Sequence, residues 1–167
     1  VTRSLYMTGI GRGDGRQVVD LGIMELLTRH VDRVGVYRPL AHEGPDLMFV
    51  LVLGRDYHDT QLPAELTLNA TLANEFGAYV LIVVGGLRQT AETAVDEVHN
   101  AHLALTAQGC DVVAPIANRV PPDAATKVAT QLNGRLPVPV YVLPEDTVLA
   151  AHGGRSGPDA RRRRAAR

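Results

Sequence analysis

Short aliphatic runs alternate with amphipathic stretches along the chain, and this alternation sets the expected architecture. Runs at residues 5–8, 33–37, 47–53, 79–84, 111–117 and 138–143 are mostly continuous, β-branched and aliphatic, with little polar alternation. Such runs suit strands buried on both faces, as in a parallel sheet covered by helices. Helical patterns lie between them. The first covers residues 18–31. The second starts at Pro63, a good first helical residue, and runs to Phe76 with Gly77 as its stop. The third follows a Thr90 cap and runs to Gln108 with Gly109 beyond it. On that helix Ala91, Ala94, Val95, Val98, Ala101 and Leu105 form one apolar stripe. The fourth covers residues 123–132. Strand–helix alternation of this kind predicts an α/β fold, a mainly parallel sheet flanked by helices.

One connection departs from the pattern. Between the second and third strands lie about seven residues, 38–44, with Pro45 at the boundary. A parallel crossover normally needs a dozen or more and usually carries a helix. Seven extended residues reach only ~25 Å, enough for a bare return along the sheet and not for a helix. Either the pairing here is unusual, or a segment is missing.

Composition sharpens this picture in few places. The 167 residues suit a single domain, with 46% hydrophobic residues and only 4% aromatic ones, so the core is aliphatic. The single Cys110 excludes an internal disulfide and fits a reducing compartment. No apolar run reaches the length of a membrane span and no signal-peptide pattern opens the sequence, so membrane association is not expected and the expected location is cytoplasmic. Net charge is −1, unevenly placed: residues 155–167 hold six Arg and one Asp, a local +5, which leaves −6 on the rest. An acidic body does not suggest nucleic-acid binding. The expected organisation is an α/β domain over residues 1–150 and an Arg/Gly-rich, disordered tail over 151–167.

The candidate chemistry centres on Gly9-Ile10-Gly11-Arg12-Gly13-Asp14-Gly15-Arg16-Gln17, between the first strand and the first helix. Glycines let backbone N–H groups approach an anion, and a helix N-terminus adds favourable partial charge. A hydrolytic phosphate loop ends in Lys then Ser or Thr, whereas this one ends in Arg16 and Gln17. Arg pairs with phosphate as a planar fork. Gln17 has no hydroxyl for Mg²⁺. Anion binding without hydrolysis is therefore expected at Gly9, Gly11, Gly13, Gly15, Arg16 and Gln17, with a shape-only glycine turn as the alternative. A dinucleotide fingerprint fits less well, because Asp14 stands where its third glycine would be.

Several ordered stretches carry a family resemblance. They are Tyr6-Met7-Thr8-Gly9, Gly35-Val36-Tyr37-Arg38-Pro39-Leu40, Val52-Leu53-Gly54-Arg55-Asp56-Tyr57, Glu65-Leu66-Thr67-Leu68-Asn69-Ala70, Gly77-Ala78-Tyr79-Val80-Leu81, Ala117-Asn118-Arg119-Val120 and Val142-Leu143-Pro144-Glu145-Asp146. In this series the chain resembles the N-terminal domain of long-form bacterial phosphate acetyltransferases, which is similar to dethiobiotin synthetase and has a phosphate-loop fold. The resemblance implies a P-loop NTPase-like sheet. It also implies acetyl transfer between coenzyme A and phosphate in the full enzyme, with the chemistry in a separate catalytic domain. No catalytic residue is expected in this chain, whose role would be regulation or assembly. Partners would be that catalytic domain or further copies of the chain, together with a small anionic ligand such as ATP or ADP with Mg²⁺. The family is substantially longer where this chain has residues 39–45.

Further residues follow from the same reading. Asp56, after the third strand, stands where a phosphate-loop protein places a metal-coordinating carboxylate, with His58 and Asp59 beside it. Asn118 follows the fifth strand, and by resemblance to dethiobiotin synthetase its amide would meet an adenine edge. Arg38 reads as a surface ion-pair residue. His99 and His102 read as part of a solvated helix face, and Cys110 as a small core residue. An ATP-dependent carboxylate ligase resembling dethiobiotin synthetase stands as the enzymatic alternative, and a folded remnant that binds nothing as a third.

Overall fold

The computed structural model describes residues 3–10, 15–32, 34–37, 49–56 and 62–146. In chain order the elements are β1 (Arg3–Ile10), α1 (Arg16–His30), β2 (Val34–Tyr37), β3 (Phe49–Asp56), α2 (Leu62–Glu75), β4 (Tyr79–Gly85), α3 (Ala91–Ala107), β5 (Asp111–Val120), α4 (Ala125–Arg135) and β6 (Tyr141–Pro144). The strands form one six-stranded sheet in the order β2-β3-β1-β4-β5-β6, and every neighbouring pair is parallel. The fold is thus α/β, a parallel sheet flanked by helices.

Period-2 alternation along the strands separates two cores. Tyr6, Val80, Ile82, Val84 and Ala117 face α2, α3 and α4, meeting Ala70, Val95, Val98, Val128 and Leu132. Met7, Leu51, Leu81, Val83, Ala114 and Ile116 face the opposite side, where α1 contributes Val19. The split follows from chain direction. The β1–β2 connection runs toward one sheet edge, whereas β3–β4, β4–β5 and β5–β6 run toward the other. Right-handed crossovers travelling in opposite directions place their helices on opposite faces. Val128 and Leu132 are fully buried, each stabilising by about 1.5–3 kcal/mol.

Local signals account for the helix ends. Thr90 caps α3, its hydroxyl accepting from the Thr93 N–H at 3.2 Å. Gly77 and Gly109 adopt φ of 53° and 81°. Beyond them Ala78 N–H reaches Ala73 O at 2.9 Å and Cys110 N–H reaches Leu105 O at 3.1 Å, which closes each helix with satisfied carbonyls. The expected stripe on α3 is buried throughout, and Cys110 is a core residue.

Several boundaries and one side chain differ from the sequence reading: β1 and β5 are longer than expected, and α4 runs from Ala125 to Arg135. Helix α1 begins at Arg16, so Arg16 and Gln17 belong to its first turn. Strand β3 runs on to Asp56 because an irregularity at Gly54-Arg55 lets it continue past Leu53. Strand β6 starts at Tyr141 and not at 138, since Pro137 and Pro139 lack the N–H that a ladder needs. His102 is only 5% exposed and lies on the core side of α3, so the solvated reading is corrected. His102 lies four residues after Val98 and three before Leu105, which puts it on the same face as the apolar stripe. The β2–β3 pairing is ordinary and parallel, which removes unusual pairing as the reason for the short link. Residues 38–48 and the tail from 147 onward lie outside the described residues.

Candidate functional site

The strand order places a topological switch at the centre of the sheet. Adjacent strands β1 and β4 send their connections to opposite sides, toward β2 and β5. In open parallel sheets the crevice beyond the carboxyl ends at such a point is where ligands bind. The glycine-rich segment leaves the sheet there.

Register brings several candidate residues to this edge. Gly9 of β1 pairs with Asp56 of β3 on one side and with Val83 of β4 on the other. The pairing with Asp56 exists because Gly54 and Arg55 together oppose Thr8, between Met7↔Leu53 and Gly9↔Asp56. Such irregularities sit next to functional edges and re-aim the chain. One step further out, Gly85 of β4 pairs with Asn118 of β5. The Gly86 N–H donates to Asn118 O at 2.7 Å, and a Cβ on Gly86 would lie 2.9 Å from Val120 Cγ2. The β4 and β5 ends are thus held in close backbone contact.

The start of α1 rests on the same place. Gly15 is the N-cap residue, with φ of 68°. A Cβ there would stand 2.8 Å from Asn118 Nδ2 and 3.0 Å from Arg119 Cδ. Glycine is therefore required by backbone conformation and by space. Asn118 is buried, 8% exposed. Arg16 is buried as well, 7% exposed, and its Nε lies 3.3 Å from Asp20 Oδ2 one turn along. Gln17 is exposed at the helix start.

Of the residues expected to bind an anion, Gly9 and Gly15 stand at the two ends of the glycine-rich segment, with Arg16 and Gln17 in the first helical turn and Asn118 beside Gly15. Gly11 and Gly13 lie outside the described residues, as do Arg38, His58 and Asp59. Asp56 is placed by its backbone in β3. Among the described residues, no group of three or more His, Cys, Asp or Glu is placed to hold a metal.

The sequence reading gave no role to Arg119 and Glu145, which flank Asn118. Arg119 has φ of 60°, uncommon for a residue with a side chain. It is the extra residue where β5 slips against β6: Asn118 pairs with Leu143 and Val120 with Pro144. Its guanidinium donates to Glu145 from Nε at 2.8 Å and from Nη2 at 3.0 Å, a bidentate pair. That bond holds the Glu145 carboxyl below its ordinary value of 4.5. The Glu145 N–H also donates to Val120 O at 2.8 Å. A second arginine with positive φ, Arg88 at 61°, sits in the turn after β4. Both residues fall in stretches of the family resemblance, Ala117-Asn118-Arg119-Val120 and Val142-Leu143-Pro144-Glu145-Asp146, but their pairing is not visible there.

The arrangement defines an α/β protein with a parallel sheet and a topological switch between β1 and β4. The chain is distantly homologous to phosphate acetyltransferases: it is 22% identical over 209 residues to the enzyme named phosphate acetyltransferase from Synechocystis sp., covering 89% of this chain and 30% of that protein. It is 24% identical over 212 residues to the phosphate acetyltransferase of Nitratidesulfovibrio vulgaris, again covering 89% and 30%. The chain thus spans about 30% of the length of the curated relatives it matches. No family model matches it. The first alignment runs over 209 positions, whereas 89% of 167 residues is about 149, so roughly 60 aligned positions have no counterpart in this chain. No described helix is long and apolar enough to cross a membrane.

Proposed function

We propose that this chain is a non-catalytic domain of the phosphate acetyltransferase type, with a dethiobiotin synthetase-like phosphate loop. Its role is regulation or assembly, and it binds a nucleotide or another anionic metabolite at the carboxyl edge of its sheet. The observation that carries this reading is that Gly9 pairs with Asp56 at the carboxyl ends of β1 and β3 while Gly15, the N-cap of α1, sits against Asn118 near the carboxyl end of β5. The α1 N-terminus there adds donor groups and partial positive charge suited to phosphate oxygens.

The same residues support binding over turnover. Arg16 is buried against Asp20, which offsets its charge, and Gln17 supplies no hydroxyl for a metal. Asp56 is the residue that would approach Mg²⁺, and Asn118 the one that would meet a purine edge. Partners are the catalytic portion of a phosphate acetyltransferase or further copies of this chain.

Calorimetric titration with ATP, ADP and coenzyme A, with and without Mg²⁺, tests the reading. Saturable binding of at least one, weakened by Asp56→Asn in the presence of Mg²⁺, is expected. A folded sample giving no heat with any of them overturns it. Mg²⁺-dependent ATP consumption with a carboxylic acid substrate would instead favour the ligase.

A further inference from the structure

The Arg119–Glu145 pair occupies an unusual position for a surface ion pair. Its side chains are only 25% and 18% exposed. Arg119 sits at a β-bulge with a left-handed backbone, so it leaves the inward–outward alternation of β5. Its fork is turned to Glu145, the residue just past the end of β6. Its stem runs under Gly15, with Cδ 3.0 Å and Cγ 3.5 Å from where a Gly15 Cβ would be. Glu145 is itself fixed by its own N–H to Val120 O. Asn118, the preceding residue, is held by Gly86 from the β4 side. The stem of Arg119 thus lies, together with the Asn118 amide, against the N-cap residue of α1, and the bidentate bond to Glu145 holds the far end of that stem.

We propose that Arg119 and Glu145 form a positioning latch that fixes the first turn of α1 and the Asn118 amide, and so sets ligand affinity at the sheet edge without touching the ligand. This rests on the anion-site reading given above. The simpler role, a clasp that only fastens β6 to β5, makes a different prediction. A clasp changes stability alone. A latch changes affinity at a site on the other side of β5.

Two measurements on the full chain test this. In the first, Mg-ADP affinity is compared among the parent, Glu145→Gln and Arg119→Lys, each verified as folded by its melting curve. Glutamine keeps the shape and loses the charge; lysine keeps the charge and loses the fork. Both variants are expected to bind about 2- to 30-fold more weakly, the usual span for residues that couple to a site without contacting it. Unchanged affinity in both overturns the latch while leaving the anion site standing. In the second, backbone amide shifts of parent and Glu145→Gln are compared without nucleotide. Displaced resonances at Gly15, Arg16 and Gln17 are expected. Shifts confined to residues 118–121 and 144–146 overturn the latch. The second measurement holds even if the parent binds no Mg-ADP, a result that would count against the anion-site reading alone.

Discussion

Gly15 is where local conformation and site geometry meet. Replacing it with alanine forces a side chain into the left-handed region and against Asn118 and Arg119. The conformational part alone costs about 1–2 kcal/mol, and Gly15→Ala is expected to lose at least that in urea unfolding. Gly22→Ala, whose Cβ would meet nothing within 4 Å, is the control and should be neutral or stabilising. Acid lability has two separate origins. Burial lowers the His102 pKa below 6.5, and nearby His99 lowers it further, so folding favours the neutral imidazole. Its Nδ1 is buried without a hydrogen-bond partner. The unfolded chain takes up a proton more readily than the folded chain, so stability falls as pH drops below about 6.5. Glu145 acts lower down. Its pKa is depressed, so its contribution is present above 4.5 and is lost as pH falls through the folded value. Urea midpoints at pH 7.5, 5.5 and 4 read both, and His102→Gln should flatten the upper part. A midpoint equal at 7.5 and 5.5 would contradict the His102 account. The glycine at position 15 was legible in the sequence because the turn into a helix is a local requirement. The Arg119–Glu145 pair was not, because it joins residues 26 apart through a bulge that no composition rule encodes.

Among elements, α3 and α4 carry the larger core. Leu132 is fully buried in the layer shared with α3 and the sheet. Leu132→Ala should cost about 2–5 kcal/mol by thermal or chemical unfolding, with much smaller loss at exposed Leu103→Ala. Similar losses at both positions would mean that α4 is not seated as described. The strands and helices were readable because continuous aliphatic runs and glycine stops act within a few residues. Strand ends were less so. Pro137 and Pro139 delayed β6, and the Gly54-Arg55 irregularity lengthened β3 to bring Asp56 level with Gly9. His102 was misplaced because a polar residue beside His99 suggests solvent. The helical period, followed strictly, puts position 102 with Val95, Val98 and Leu105.

For the molecule as a whole, the sheet order explains why one edge collects the candidate residues. The connections of β1 and β4 run to opposite sides, and open parallel sheets bind ligands beyond the carboxyl ends of strands at such a point. The class of fold was legible from alternation, and the distant relatives support the phosphate acetyltransferase resemblance. The strand order was not legible, because it depends on which runs pair across the whole chain. The roughly 60 aligned positions without a counterpart accord with the short β2–β3 link read from the sequence. The central claim is that the carboxyl edge between β1 and β4 is a working anion or nucleotide site. Backbone amide mapping during titration with Mg-ADP tests it most directly. The account predicts saturable shifts centred on Gly9, Ile10, Gly15 to Gln17 and Asn118. Shifts absent from these positions, or gathered at the amino edge of the sheet, would contradict it.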